Sequence, residues 1–220
     1  MAIDLEAPAP AFTSAFAQHG TVTLLIGSEE QPLVAHESYL TKNSEFFEAA
    51  MKKEWAEGQT RVIKLPEDDV ETMSNYLTFA YSRDLPTSKV AKGASRATVD
   101  DWKSLTRLYV LGERTLDKCI RNAVVREIER LSTTPDEKGD TGFMPAAASN
   151  MLFDGTPEGS PIRQMIIDKH VFHGQKACLT GKDHPVLILE VARALLEKAS
   201  HRQPYGDFRS RRVKAEDYLV

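Results

Sequence analysis

Few side chains in this sequence have the type and spacing to do chemistry, and they are scattered. His36 is the first candidate for acid–base work, but no Ser or Cys nucleophile signature surrounds it. With Leu40 and Ser44 following at helical spacing, it reads as a packed, hydrogen-bonded histidine at a helix start. His170, His173, Cys178 and His184 are metal ligands by type. Their spacings, His-x2-His and x4-Cys, match no common zinc pattern, so no metal is expected. Glu67-Asp68-Asp69 offers carboxylates to a hard cation such as Mg²⁺. Acids at a helix start are already accounted for by capping and by the helix dipole. The basic run Arg209-Ser210-Arg211-Arg212 is short and interleaved with acids, which marks a solvated tail rather than a nuclear address or a nucleic-acid contact. No catalytic constellation results, and neither an enzyme nor a cofactor is expected.

Trp55-Ala56-Glu57 is different. Trp55 follows a helix end and has no core partner on the helical stripe before it. Two readings stand side by side. In one, Trp55 closes the core and Glu57 is a surface acid. In the other, Trp55 is an aromatic anchor for a partner, with Glu57 at the rim.

These residues must be positioned by the stretch from Thr21 to Leu85. Thr21-Val22-Thr23-Leu24-Leu25-Ile26 is a continuous apolar run, which predicts a strand covered on both faces. Ser28-Glu29-Glu30-Gln31 separates it from a second strand holding Leu33, Val34 and Ala35, as in a hairpin. Asn43 or Ser44 caps a helix that Phe46, Phe47, Ala50 and Met51 pin to the core, and Gly58 breaks the pattern. Val62, Ile63 and Leu65 form a third strand, closed by Pro66. Asp68 is the expected cap of the next helix, with Glu71 at its third position and a stripe of Val70, Met73, Leu77 and Ala80 widened by Tyr76, Phe79 and Tyr81. Ser88 to Thr98 is small, basic and polar, a surface insertion. Trp102, Leu105, Leu108 and Tyr109 resume a helix that ends near Gly112. Thr115 caps its successor, whose stripe is Leu116, Ile120, Val124, Ile128 and Leu131, and the short link implies an up-down helix pair.

The polar residues 132–142 mark a linker. Two weaker helical segments follow over 143–200, one with Ile162, Met165, Ile166 and Lys169, the other with Leu187, Val191, Ala194 and Leu195. Residues 1–19 are expected to be a tail with a short helix in which Phe12 and Phe16 share a face. Residues 201–220 are expected to be a mobile tail.

The whole chain sets wider bounds. Its 220 residues, 41% apolar and 27% charged, allow one good core and a small second one. A net charge of -4 gives no basic face for nucleic acid or an anionic membrane. No apolar run is long enough to span a bilayer, and the start of the chain lacks the basic n-region of a secretory leader. Cys119 and Cys178 make no disulfide framework and read as buried free thiols, so an intracellular place, cytoplasmic or nuclear, is expected.

The order strand, strand, helix, helix, strand, helix, then a helix pair, resembles the BTB/POZ domain. The likeness rests on Val34-Ala35-His36, Leu40, Ser44 with Phe46-Phe47, Ile63-Lys64-Leu65 with Glu67-Asp68, Leu77 with Phe79-Ala80-Tyr81, and Leu108-Tyr109-Val110-Leu111-Gly112-Glu113 leading into Leu116. It covers residues 20–131. The downstream segment from Thr156 to Arg163 and Tyr218 are similar to single-domain fungal members. The resemblance implies an α+β fold, a small sheet flanked by helices with a helical C-terminal extension. It also implies protein–protein interaction. The sharper implication is a substrate adaptor for a cullin-3-based E3 ubiquitin ligase, because adaptors of this family place a hydrophobic residue, any residue and a Glu where Trp55 and Glu57 stand. The alternative is a homo-oligomeric scaffold or transcriptional regulator without ligase contact. Many dimeric members carry an Asp at the start of the first strand and a basic residue after the His, which together form a charged pocket. Thr21 and Glu37 stand there instead, which implies a weak homodimer resting on Phe12 and Phe16.

Overall fold

The computed structural model describes residues 20–89, 97–135, 141–174, 178–200 and 213–220, with side chains described only to 197 in the fourth segment. Phe12 and Phe16 lie outside these residues, as do most of the 88–98 insertion, the middle of the 132–142 linker and residues 201–212. The chain divides into two compact units. One is Met1–Leu85 with Arg114–Lys118, the other Pro86–Glu113 with Cys119–Val220.

The first unit is built on a three-stranded sheet of β1 (Thr21–Ile26), β2 (Gln31–His36) and β3 (Val62–Leu65), in the order β2-β1-β3. β1 and β2 are antiparallel, with Thr21 opposite His36 and Ile26 opposite Gln31. β1 and β3 are parallel, with Thr23 opposite Val62. Gly27 opens the hairpin turn at φ 73°, where a side chain would be strained. Val22, Leu24 and Ile26 are buried, whereas Thr23 and Leu25 are half-buried. β1 therefore has one sealed face and one partly covered face, not the two sealed faces that its continuous apolar run suggests.

Around the sheet lie α1 (Glu37–Thr41), α2 (Glu45–Ala50), α3 (Ala56–Thr60) and α4 (Val70–Ser82). Ser44 caps α2 as expected, its hydroxyl accepting from the Phe47 amide at 3.2 Å. The cap of α4 is Asp69, not Asp68: its carboxylate accepts from the Thr72 amide at 2.8 Å and the Thr72 hydroxyl at 2.7 Å. The buried stripe of α4 is Thr72, Met73, Tyr76, Phe79 and Ala80, while Val70 and Leu77 are half-buried.

Asp68 is thereby free for a different partner. The segment Arg114–Lys118 returns to the first unit, and Arg114 pairs with Asp68 and, at 3.4 Å, with Glu67. The Thr115 carbonyl accepts from the buried Ser44 hydroxyl at 2.6 Å and from the Phe46 amide at 3.4 Å. The Tyr76 hydroxyl donates to the buried Asp117 carboxylate at 2.8 Å. Thr115 is thus an acceptor for α2, with α6 beginning only at Lys118. Leu116, expected on the α6 stripe, sits in the turn at φ 51° and is exposed.

The second unit is helical: α5 (Val99–Arg114, its last residue grouped with the first unit), α6 (Lys118–Thr133), α7 (Ala146–Gly155), α8 (Pro161–His173) and α9 (Pro185–Ser200). Ile120, Val124, Ile128 and Leu131 form the buried face of α6. α7 was not expected from the sequence. Its carbonyls at Phe153 and Thr156 accept from the buried Arg163 guanidinium, which also lies 5.0 Å over the Phe153 ring. Gly155 lets α7 approach Val110, since a Cβ there would fall 2.6 Å from a Val110 methyl. α8 buries Ile162, Arg163, Met165, Ile166, Ile167, Lys169, His170 and Val171, and is covered on nearly every side. Ser160, before α8, donates to Glu113 at 2.7 Å and meets Tyr109 at 3.2 Å, while Arg121 pairs with Glu113 at 2.9 Å. On α9, Leu187 and Val191 are buried, but Leu195 is exposed. In the segment expected to be a mobile tail, Val213, Ala215 and Tyr218 are buried.

Tyr76→Phe removes a hydrogen bond to a buried carboxylate, a change that costs about 1.5–3 kcal/mol. Chemical denaturation should show a loss of that size. A variant as stable as the parent would contradict the role given to the Arg114–Lys118 turn.

Candidate functional site

Trp55 is brought to the surface by backbone geometry. After α2 the chain makes a tight turn in which the Trp55 amide donates to the Lys52 carbonyl at 3.0 Å. Trp55 has extended backbone (φ -100°, ψ 150°), and its carbonyl accepts from the Gln59 amide, which starts α3. Gly58 does not break the chain here, contrary to expectation. It is the residue that permits the fold-back, because a Cβ on it would fall 2.2 Å from the Lys52 carbonyl oxygen. The Gln59 side chain adds a bond to the Lys53 carbonyl at 3.0 Å. Held this way, Trp55 is 59% exposed. Trp102, by contrast, is 2% exposed in the second unit. The reading in which Trp55 closes the core therefore does not describe this structure. Glu57 lies in the first turn of α3, half-buried, and its carbonyl accepts from the Arg61 amide at 2.8 Å.

Arg61 is a residue that sequence reasoning passed over. It ends α3 in the left-handed conformation at φ 61°. Its guanidinium pairs with Glu37, the residue that stands where a base was expected, and reaches the Met51 sulfur at 3.8 Å. Glu37 is thus neutralised within its own chain. No short-range pattern signals a pair 24 residues apart.

The other candidates are structural. The His36 amide and Nδ1 both meet the Tyr81 hydroxyl, at 2.9 and 3.0 Å, and Tyr39 packs against both rings. His170 places Nδ1 2.8 Å from the Ile166 carbonyl and stands edge-on to Phe143. His184 lies 3.3 Å from Asp154. Among the described residues no group of three or more His, Cys, Asp and Glu side chains is placed to hold a metal ion. No helix among them is long and apolar enough to cross a membrane. Cys119 and Cys178 are free thiols, half-buried instead of fully buried.

Residues 12–109 match the family model of the BTB/POZ domain. This chain carries a BTB/POZ domain. No curated protein matches it. The matched region takes in the sheet, α1 to α4 and α5 as far as Tyr109, so Trp55, Glu57 and Arg61 all lie within the BTB/POZ domain, whereas α6 to α9 lie beyond the match. The α+β architecture, a small sheet with flanking helices and a helical extension, is that of a BTB/POZ protein. A BTB/POZ domain is a protein-interaction module.

Buried titratable groups in the second unit set a pH dependence apart from this surface. Burial lowers the pKa of Lys169 to about 8, with Glu129 opposing the shift. Burial also lowers His170 and His173, the latter further depressed by Lys169. A base whose folded pKa lies below its unfolded value disfavours folding at any pH where the unfolded chain is protonated. That cost is full below about pH 8 and fades as pH rises towards 10.5. Lys169→Met should therefore raise stability at pH 7 by up to about 3 kcal/mol, at 1.36 kcal/mol per pKa unit, and the gain should shrink as pH rises to 10. Denaturation curves of both proteins at pH 7 and 10 check it, and a destabilised variant at pH 7 would overturn it.

Proposed function

We propose that this BTB/POZ protein is a substrate adaptor for a cullin-based E3 ubiquitin ligase, with Trp55 and Glu57 forming its contact with the cullin scaffold. The observation that carries the reading is the 59% exposure of Trp55 at the start of α3, beside Glu57. A tryptophan left mostly in water by its own chain favours a partner with an apolar recess. The fold-back through Gly58 supports the same reading, because an anchor held in place before binding loses little conformational freedom on docking. Glu57, half-buried at the edge, suits a polar group at the rim of that recess. The pairing of Glu37 with Arg61 weighs against the alternative of a scaffold or regulator acting through a charged homodimer pocket, since that charge is already met within the chain.

Trp55→Ala should leave the thermal transition within a degree or two of the parent, since exposed positions change stability by about 0.5 kcal/mol or less. It should weaken cullin binding about tenfold or more, because central aromatic anchors commonly carry about 2 kcal/mol. Glu57→Ala should weaken it less. Calorimetric titration of both variants with the cullin decides the matter. A folded Trp55→Ala variant that binds as the parent does, or a parent that binds no cullin, removes the adaptor reading.

A further inference from the structure

Residues 213–220 are held in the second unit as a bound peptide would be. Val213, Ala215 and Tyr218 are buried, while Lys214, Glu216 and Asp217 between them are exposed. The 3-10 turn Ala215–Tyr218 packs against α8, and the Tyr218 hydroxyl donates to the Asp168 carboxylate at 2.6 Å. Two residues further on, the backbone is read by a single side chain of α6. The Asn122 amide donates to the Val220 carbonyl at 2.9 Å, and its oxygen accepts from the Val220 amide at 2.8 Å.

A carboxamide that donates to and accepts from the same residue's backbone recognises chain direction without recognising a side chain. Together with a carboxylate acceptor for a phenol and two small apolar seats, it forms a set of contacts suited to a short protein segment. The charged side chains of the segment contribute nothing to the fit, since they face water. The resident segment itself states the chemistry of the occupant: small apolar residues, then a tyrosine, then a residue two places on whose amide and carbonyl are both available.

We infer that the Asn122–Asp168 surface of α6 and α8 is a peptide-binding site, occupied in this chain by its own residues 213–220 and able to take a partner's segment of the same chemistry in their place. The resident segment is covalently part of the chain, so it competes intramolecularly and a free peptide displaces it poorly. Weakening the resident segment should open the site. This inference stands independently of the cullin reading, which concerns the first unit.

The test uses the full chain and a fluorescently labelled peptide, Val-Lys-Ala-Glu-Asp-Tyr-Leu-Val, followed by anisotropy. The Tyr218→Ala chain should bind the peptide at least about tenfold more tightly than the parent chain does, a ratio set by how far the tethered competitor has been weakened. Adding Asn122→Ala to that chain should abolish the gain, and a peptide with Phe in place of Tyr should bind more weakly. A Tyr218→Ala chain that melts cooperatively yet binds no better than the parent overturns the inference. So does a gain that persists without Asn122. A Tyr218→Ala chain that no longer melts cooperatively overturns it as well, because residues 213–220 would then be core rather than ligand.

Discussion

The first unit depends on a short turn that is remote from it in sequence. Arg114–Lys118 supplies a carbonyl to Ser44, a carboxylate to Tyr76 and a guanidinium to Asp68, across 71, 41 and 46 residues respectively. Two of these partners, Ser44 and Tyr76, are almost wholly buried. A buried hydroxyl or carboxylate without its partner costs about 1–3 kcal/mol, so losing the turn would leave both Ser44 and Asp117 at that cost. The three bonds also account for Leu116, held at φ 51° where a side chain costs about 1–2 kcal/mol. Only surroundings fixed on both sides keep such a residue in place.

By contrast, α3 buries none of its own side chains. The core residues of the sheet, α2 and α4 close among themselves and with the turn, while the segment from Lys52 to Arg61 is set by its own backbone bonds and by the close approach at Gly58. Trp55 lies outside that core, at the surface.

Much of this was legible in the sequence where the physics is local. The alternation of Leu33, Val34 and Ala35, the Ser44 cap and, Leu116 apart, the stripe of Ile120, Val124, Ile128 and Leu131 on α6 each follow from short-range rules, and each is found. The errors lie where distant contacts decide. Asp68 and Asp69 are equally good caps in isolation, and only the ion pair with Arg114 assigns Asp69 to the helix. Gly58 looks like a breaker until the Lys52 carbonyl beside it is seen. α8 gave a faint pattern because it is buried on nearly all sides and so has no polar face to contrast. Tyr218 lies among charges with no period at all, and its place is set by Asp168, 50 residues away. The candidate site was half legible: Trp55 and Glu57 stood out, but whether Trp55 lies in the core or at the surface depended on distant packing, and Arg61 gave no signal.

The central claim is that a rigid first unit presents the Trp55 segment to a cullin partner. Amide hydrogen exchange of the parent protein, with and without the cullin, tests it most directly, because exchange reports local opening residue by residue. The account predicts that amides from Trp55 through Arg61 gain protection on binding, while those of β1, already buried in the sheet, do not change. A footprint that leaves Trp55 to Arg61 untouched, whether elsewhere on the chain or nowhere, would contradict it.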